Sequence, residues 1–368
     1  MEVRRVQRVG SSTLTVSIPR DWVKEVGLKQ GDIISIKRES DGTLRLIPGI
    51  IKEPVEVAKC VVDADKCTRV RELTRILVGL YIIGYDTIQI VSKRDLSSEH
   101  LEEVRNVTQR LTGLSVVEQT LNQILIQNFL DPTRFPVEGL LRRIFIITSS
   151  MQKAAIRALR ERKVELAKEV IHMENEIDKI YWLVVRQLLL AARNKEIGKK
   201  IGIEEPLLIL GNRVIAKVLE KIGDYSEDLA RNVLEVLKGP AIDKDILDMI
   251  YEFATYVQSV YDRAMNSLLA SDIRLANQAI DMVEEVVIRE GELVNRILVK
   301  YQLTPISKRS KPIMDEKDLI DQVNVAMNLR AIVWSLGQIA RYCSTMAEIA
   351  INNALERSTD FCRIEGRK

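Results

Sequence analysis

Leu219-Glu220-Lys221-Ile222-Gly223-Asp224-Tyr225-Ser226-Glu227-Asp228-Leu229-Ala230 decides the fold, because it returns in altered form. The echo is Leu336-Gly337-Gln338-Ile339-Ala340-Arg341-Tyr342-Cys343-Ser344-Thr345-Met346-Ala347. Leu, Ile and Tyr keep their spacing, while Glu220, Asp224 and Asp228 become Gly337, Arg341 and Thr345. One scaffold has been duplicated, and its second copy has lost the carboxylates.

Working outward, the apolar residues from Leu140 to Glu356 recur at intervals of three and four, the period of an amphipathic helix. Breaks fall near Glu161–Lys163, Gly198–Pro206, Gly239-Pro240 and Leu303–Pro312, and with the second half read as a copy of the first, six long helices are expected, three per half. The first two helices of each half align at an offset of 109, as Ala155 with Ala264 and Met173 with Met282. The third helices align at 117, Leu219 with Leu336. A repeat of this length reads as paired three-helix bundles, since solenoid periods are shorter.

On the helix of the opening stretch, Val218, Ile222, Tyr225 and Leu229 form one stripe, and Glu220, Asp224 and Glu227 lie opposite. The ordinary reading of those acids is a solvated face, with Lys217, Lys221 and Arg231 within pairing reach. On the second helix, Glu174 and Asp178 flank a stripe of Val170, Met173, Ile177, Tyr181, Val184 and Leu188. Acids beside an apolar seam approach the groove between helices, where burial is costly. Two carboxylate pairs on neighbouring helices offer oxygen ligands for a divalent or iron-type metal. At the positions of Glu174 and Asp178 the second half has Val283 and Val287. At most one metal site per chain is therefore expected, on the first bundle, from Glu220, Asp224, Glu174 and Asp178.

The totals exclude several classes. With 368 residues, 46% hydrophobic and 29% charged, the chain has material for several domains. No apolar run approaches a membrane span, and no signal peptide is evident, so a cytoplasmic protein without membrane insertion is expected. Four cysteines without zinc-type spacing read as reduced thiols, and two distant histidines rule out a histidine-rich centre. A nucleophile motif is missing, and an enzyme is not expected.

Residues 1–49 hold nine Lys/Arg against six Asp/Glu, an excess equal to the whole chain's +3. Nucleic-acid contact is therefore sought there first. Val3, Val6 and Val9 suit a strand, and Leu14, Val16 and Ile18 alternate at period two. A short helix over Arg20 to Val26 follows Pro19 and stops at Gly27, and two more strands flank Asp41-Gly42. So little chain buries little surface alone, which predicts a dimer. Residues 50 to about 135 alternate strand and helix as a small α/β layer, with Gln123 to Ile126 as an edge strand. That layer reads as a spacer or dimerisation element.

Arg8-Val9-Gly10-Ser11-Ser12, Ser17-Ile18-Pro19, Gly27-Leu28 and Gly31-Asp32 together resemble the AbrB/SpoVT/MazE swapped-hairpin family. The resemblance implies a hairpin-sharing homodimer on DNA, with Arg5, Arg8, Ser11 and Ser12 at the contact; Ser17 departs from the basic residue common in antitoxin members. Leu219 to Tyr225, with Arg213 upstream, resembles the Leu-Glu-Arg-Ile-Gly-Asp-Tyr signature of the PhoU family. The combination is similar to the archaeal AbrB–PhoU fusion proteins.

The implied architecture is multidomain: a small β swapped-hairpin dimer domain over 1–49, an α/β connecting layer over 50–135, and all-α bundles over 136–240 and 241–358. A tail over 359–368, with a protease-site-like Ile-Glu-Gly-Arg, completes it. The implied function is regulation of phosphate uptake by a DNA-binding dimer coupled to a helical sensor. The alternative is an adaptor without DNA binding that restrains a phosphate transporter or signalling kinase. Partners are then DNA, a second copy, and the transporter or its signalling partner.

Overall fold

The computed structural model describes residues 2–38, 42–49, 59–301, 316–356 and 359–363. The predicted break at Leu303–Pro312, Asp41 of the predicted turn, and the Ile-Glu-Gly-Arg tail lie outside them. The chain divides into two compact units, Met1–Val57 and Ala58–Lys368.

In the first unit β1 (Gln7–Val9) pairs antiparallel with β2 (Thr13–Thr15), Arg8 opposite Leu14. Gly10, at φ +68°, takes the left-handed backbone that the intervening turn requires. Helix α1 (Arg20–Glu25) follows with Pro19 at its N-cap, and Gly27, at φ +67°, lies just beyond it. Strands β3 (Ile34–Arg38) and β4 (Leu44–Pro48) form a second hairpin, Ile36 opposite Leu46. The first strand is shorter than its valine spacing predicts. No described residue of this unit is buried, and Val6, Val9, Leu14, Val16, Ile36 and Leu44 are all more than half exposed. Two hairpins from one chain supply β-pairing but no second layer to cover their apolar faces.

The second unit opens with a mixed sheet. Strands β5 (Lys59–Asp63), β6 (Thr87–Val91), β7 (Leu114–Gln119) and β8 (Gln123–Asn128) run in the order β5-β6-β8-β7. Strands β5 and β6 are parallel, and β8 is antiparallel to both of its neighbours. Helices α2 (Glu72–Ile82) and α3 (Ser98–Arg110) make the crossovers. The predicted edge strand is therefore interior. Ile124 and Ile126 of β8 are buried, whereas Glu118 and Gln119 of β7 are exposed beyond a register shift, so β7 is the strand that tolerates the rim.

Among the described residues seven helices follow: α4 (Val137–Glu161), α5 (Val164–Arg193), α6 (Lys195–Lys200), α7 (Pro206–Lys238), α8 (Lys244–Ala270), α9 (Ile273–Lys300) and α10 (Glu316–Leu355). Short α6 is an addition to the six expected, started by the Asn194 side chain accepting from the N–H groups of Glu196 and Ile197. A further stop, at Ser271, comes between α8 and α9. It matches Arg162 at the repeat offset, and both residues take the left-handed conformation (φ +50° and +52°).

Helices α4, α5 and α7 form one bundle and α8, α9 and α10 the other, and they join through α7 on α10 and α4 on α8. The joint relates equivalent positions. Tyr225 and Tyr342 lie 5.9 Å apart between ring centroids, and Gln258 Nε2 donates to Ser149 Oγ at 2.7 Å. A pseudo-twofold thus passes between the copies, and both bundles share one apolar core.

Within the first bundle, Gly223 faces Ile177. A Cβ at Gly223 would stand 2.8 Å from Ile177 Cδ1 and 3.2 Å from its Cγ2, so the signature glycine sets the separation of α5 and α7. The α/β layer is clamped to α5 by Arg186, buried at 2% exposure. Its guanidinium donates to the carbonyls of Tyr81 and Tyr85 and, at 2.6 Å, to Asp86 Oδ1.

Gly223→Ala is expected to lower stability by about 1–3 kcal/mol through overpacking, despite alanine's helix propensity. Adding Ile177→Val should recover part of that loss. Denaturant titration of the two variants checks both expectations.

Candidate functional site

The side-by-side packing of α5 and α7 decides which acids meet. Glu174 feels the charges of Asp178 on its own helix and of Asp224 and Glu227 on α7. Burial, first, and then the charges of Asp178, Glu227 and Asp224 push the Glu174 carboxyl up to about 7. Burial and Asp224 also raise the Asp228 carboxyl. Glu220 lies one turn before Asp224 on the same helix, and Lys221 stands between their carboxylates. It is buried at 9% exposure, its carboxyl is raised by that burial, and Lys217 Nζ meets it at 2.7 Å.

The face is therefore not the solvated one of the ordinary reading, although the predicted pairings do form. Lys221 reaches Asp224 and Arg231 reaches Glu227, both at 2.5 Å. Asp178 is taken by a partner from outside the bundle, Arg110 at the end of α3, also at 2.5 Å. Asp178 and Asp224 are thus within electrostatic reach of Glu174, Glu220 is linked to Asp224 through their charges and Lys221, and Glu227 adds a carboxylate that was not among the four expected ligands. Glu227 carries a legible signal, because it stands three residues after Asp224. Arg110 carries none, because it comes from another fold layer.

The donor chemistry fits a hard divalent cation: several carboxylate oxygens, no histidine, and one carboxyl resisting ionisation beside like charges. Asp178, Asp224 and Glu227 are each held by a basic side chain. Among the described residues no three Asp, Glu, His or Cys side chains converge as a ready coordination shell. A cation would have to draw them from those partners.

In the second bundle the site has become a strut. Arg341, at the position of Asp224, donates to Glu290 Oε2 at 2.9 Å. Glu290 occupies the position that Tyr181 holds in the first bundle, where Arg213 and Lys217 lie over the ring. At Gly337, the counterpart of Glu220, a Cβ would stand 2.3 Å from Glu290 Oε2, so the glycine makes room for that carboxylate.

At the other end of the chain, Arg8 and Ser11 come together. The Arg8 guanidinium donates to the Ser11 carbonyl across the β1–β2 turn, through Nε at 3.1 Å and through Nη2. Ser12 shares that turn, while Arg5 precedes β1, and all four residues are exposed. The turn presents hydroxyls and a guanidinium together, a combination able to engage phosphate oxygens.

Residues 141–233, which include every acid named on α5 and α7, match the family model of the PhoU domain. The first bundle is PhoU-like. Residues 7–53 match the model described as antidote-toxin recognition MazE, bacterial antitoxin. Among solved structures, PhoU from Pseudomonas aeruginosa is 16% identical with a TM-score of 0.49, over 60% of this chain and 95% of that one. The phosphate transport system regulatory protein PhoU from Streptococcus pneumoniae is 14% identical with a TM-score of 0.46, over 61% and 96%. Comparison with curated proteins gives no match. The resemblances drawn from Leu219–Tyr225 and from Arg8–Asp32 thus stand at domain level. No helix among the described residues is long and apolar enough to cross a membrane.

Titration of the PhoU-like face follows from Glu174. Its carboxyl is raised in the folded chain from 4.5 to about 7, so folding favours its protonated form. Its ionisation therefore costs stability as pH rises through that window, and the cost is complete above it. Glu174→Gln should melt with the parent near about pH 5 and above it at about pH 8, by about 2–4 °C per kcal/mol relieved. Thermal unfolding across that range reads the difference.

Proposed function

We propose that the protein is a DNA-binding regulator of phosphate uptake, in which a swapped-hairpin dimer serves a PhoU-like helical sensor. The reading is supported foremost by the first unit, which matches a MazE-type domain and leaves its apolar residues uncovered. A second copy would cover them, and the dimer would carry two sets of Arg5, Arg8, Ser11 and Ser12. The arginines would hold phosphate, and the small serines would let the turn approach the backbone closely. An excess of +3 over residues 1–49 is modest, so affinity should fall steeply with salt.

The PhoU-like acids would take a divalent cation, with Asp178, Asp224 and Glu227 as oxygen donors and Glu174 ionising in support. Glu220, held by Lys217, would tune the site from one turn away. Binding there would compete with Arg110 for Asp178 and so engage the α/β layer through α3. The protein would act as a regulator and not as an enzyme.

The adaptor reading is favoured by one surface. Leu207, Leu210 and Val214 are exposed at the start of α7, an apolar stripe suited to a protein partner such as a phosphate transporter or its signalling kinase.

Gel shifts on the protein's own promoter region should show a complex at low salt that fades as salt rises. Arg5→Ala with Arg8→Ala should weaken it by about tenfold or more, since contacts to charged phosphate contribute roughly 1.5–3 kcal/mol each. Unchanged mobility at low salt, with the folded dimer confirmed by light scattering, would leave the adaptor reading standing. Separately, Mn²⁺ should raise the melting temperature of the parent chain, and Asp178→Asn with Asp224→Asn should abolish that rise.

A further inference from the structure

Helix α4 carries Lys153, Arg157 and Arg160 at intervals of four and three, which sets all three cations on one helical face. That face borders a cleft of about 440 Å³ between α4 and α8, on the joint between the two bundles and away from the acidic face. Its volume falls in the range of small-molecule sites. Ile156, Ala254 and Leu336 give the cleft an apolar wall, and Tyr251 lies at its side under the Arg160 guanidinium, 4.4 Å from the ring centroid.

Two amides, Gln152 and Gln258, also line this cleft, as does the carboxylate Glu161. Gln152 is 3% exposed, and its Nε2 has no hydrogen-bond partner among the described residues. Gln258 donates from Nε2 to Ser149 Oγ at 2.7 Å and to Asp262 Oδ1 at 2.8 Å, and the carboxylate, an acceptor only, fixes that orientation. Its Oε1 is then the acceptor left over, buried and also without a partner among the described residues. A buried amide donor and a buried amide acceptor left unmatched are costly unless something pairs with them.

The cations are only partly committed. Arg157 gives its Nε to Glu161 at 3.1 Å, and Arg160 stands 3.7 Å from Asp248, both at exposed positions where such pairs contribute little. Lys153 forms no ion pair among the described residues. Nor are these charges inherited from the duplication. At the repeat offset, Lys153, Arg157 and Arg160 correspond to Asp262, Asn266 and Leu269.

We infer that this cleft binds a nucleotide. Its phosphate meets Lys153 and Arg157, its planar base lies against the apolar wall, and the base edge supplies an acceptor to Gln152 and a donor to Gln258. Inorganic phosphate would satisfy the cations alone, and an apolar ring without a polar edge would leave both amides unmatched. The inference does not rest on the DNA reading, because binding is measured on the chain without DNA.

Calorimetric titration of the full-length protein with AMP, UMP and inorganic phosphate tests it. At least one nucleotide should bind at millimolar concentration or below, and more tightly than phosphate. Lys153→Glu with Arg157→Glu should weaken that binding by about tenfold or more, a loss of about 1.4 kcal/mol. Gln152→Leu should weaken the nucleotide while leaving phosphate unchanged, and thermal melts establish that each variant is folded. Equal affinity for phosphate and nucleotide, insensitivity to these substitutions, or no binding by the folded parent would each overturn the inference.

Discussion

The contact between Gly223 and Ile177 is the constraint on which the helical unit depends. With no side chain at position 223, α7 settles close on α5, and the acids of both helices are drawn to one side of the seam. The same closeness buries Glu220 and lifts the Glu174 carboxyl, so the electrostatics of the face follow from the packing beneath it. A wider spacing would return those carboxylates to water, and their strain would vanish with it.

Much of the helical architecture is legible in the sequence because a duplication doubles the information. Ser271 marks the limit of local signals: nothing at the residue itself announces a helix end and the expected breaks omit it, but it stands at the repeat offset from Arg162, and both adopt the same left-handed backbone. Strand β8 shows a second limit. Its local pattern fits an edge or a centre equally, and only pairing with β6 and β7 settles the position. Strand order is a non-local property that composition and periodicity do not encode.

The candidate site divides along the same line. Asp224 and Asp178 could be singled out because spacing along a helix is a local matter. Which acids then meet across the seam depends on the rotation of one helix against another, and there Glu227 adds its charge beside Glu174. Arg110 lay beyond reach for a stronger reason. Its pairing with Asp178 spans 68 residues and two fold layers. The first unit was legible as paired hairpins, and its lack of a core follows from how little chain it contains.

The Arg341–Glu290 pair makes the loss of the second acidic face hard to reverse. Restoring aspartate at 341 alone would set two carboxylates against each other where one is already largely buried. Restoring glutamate at 337 alone would drive a side chain into the oxygen that now occupies its space. Each single step back passes through a less stable protein, so the two halves are locked into different roles. The two copies of one scaffold thus carry different surfaces, an acidic one on the first bundle and an ion-paired strut on the second.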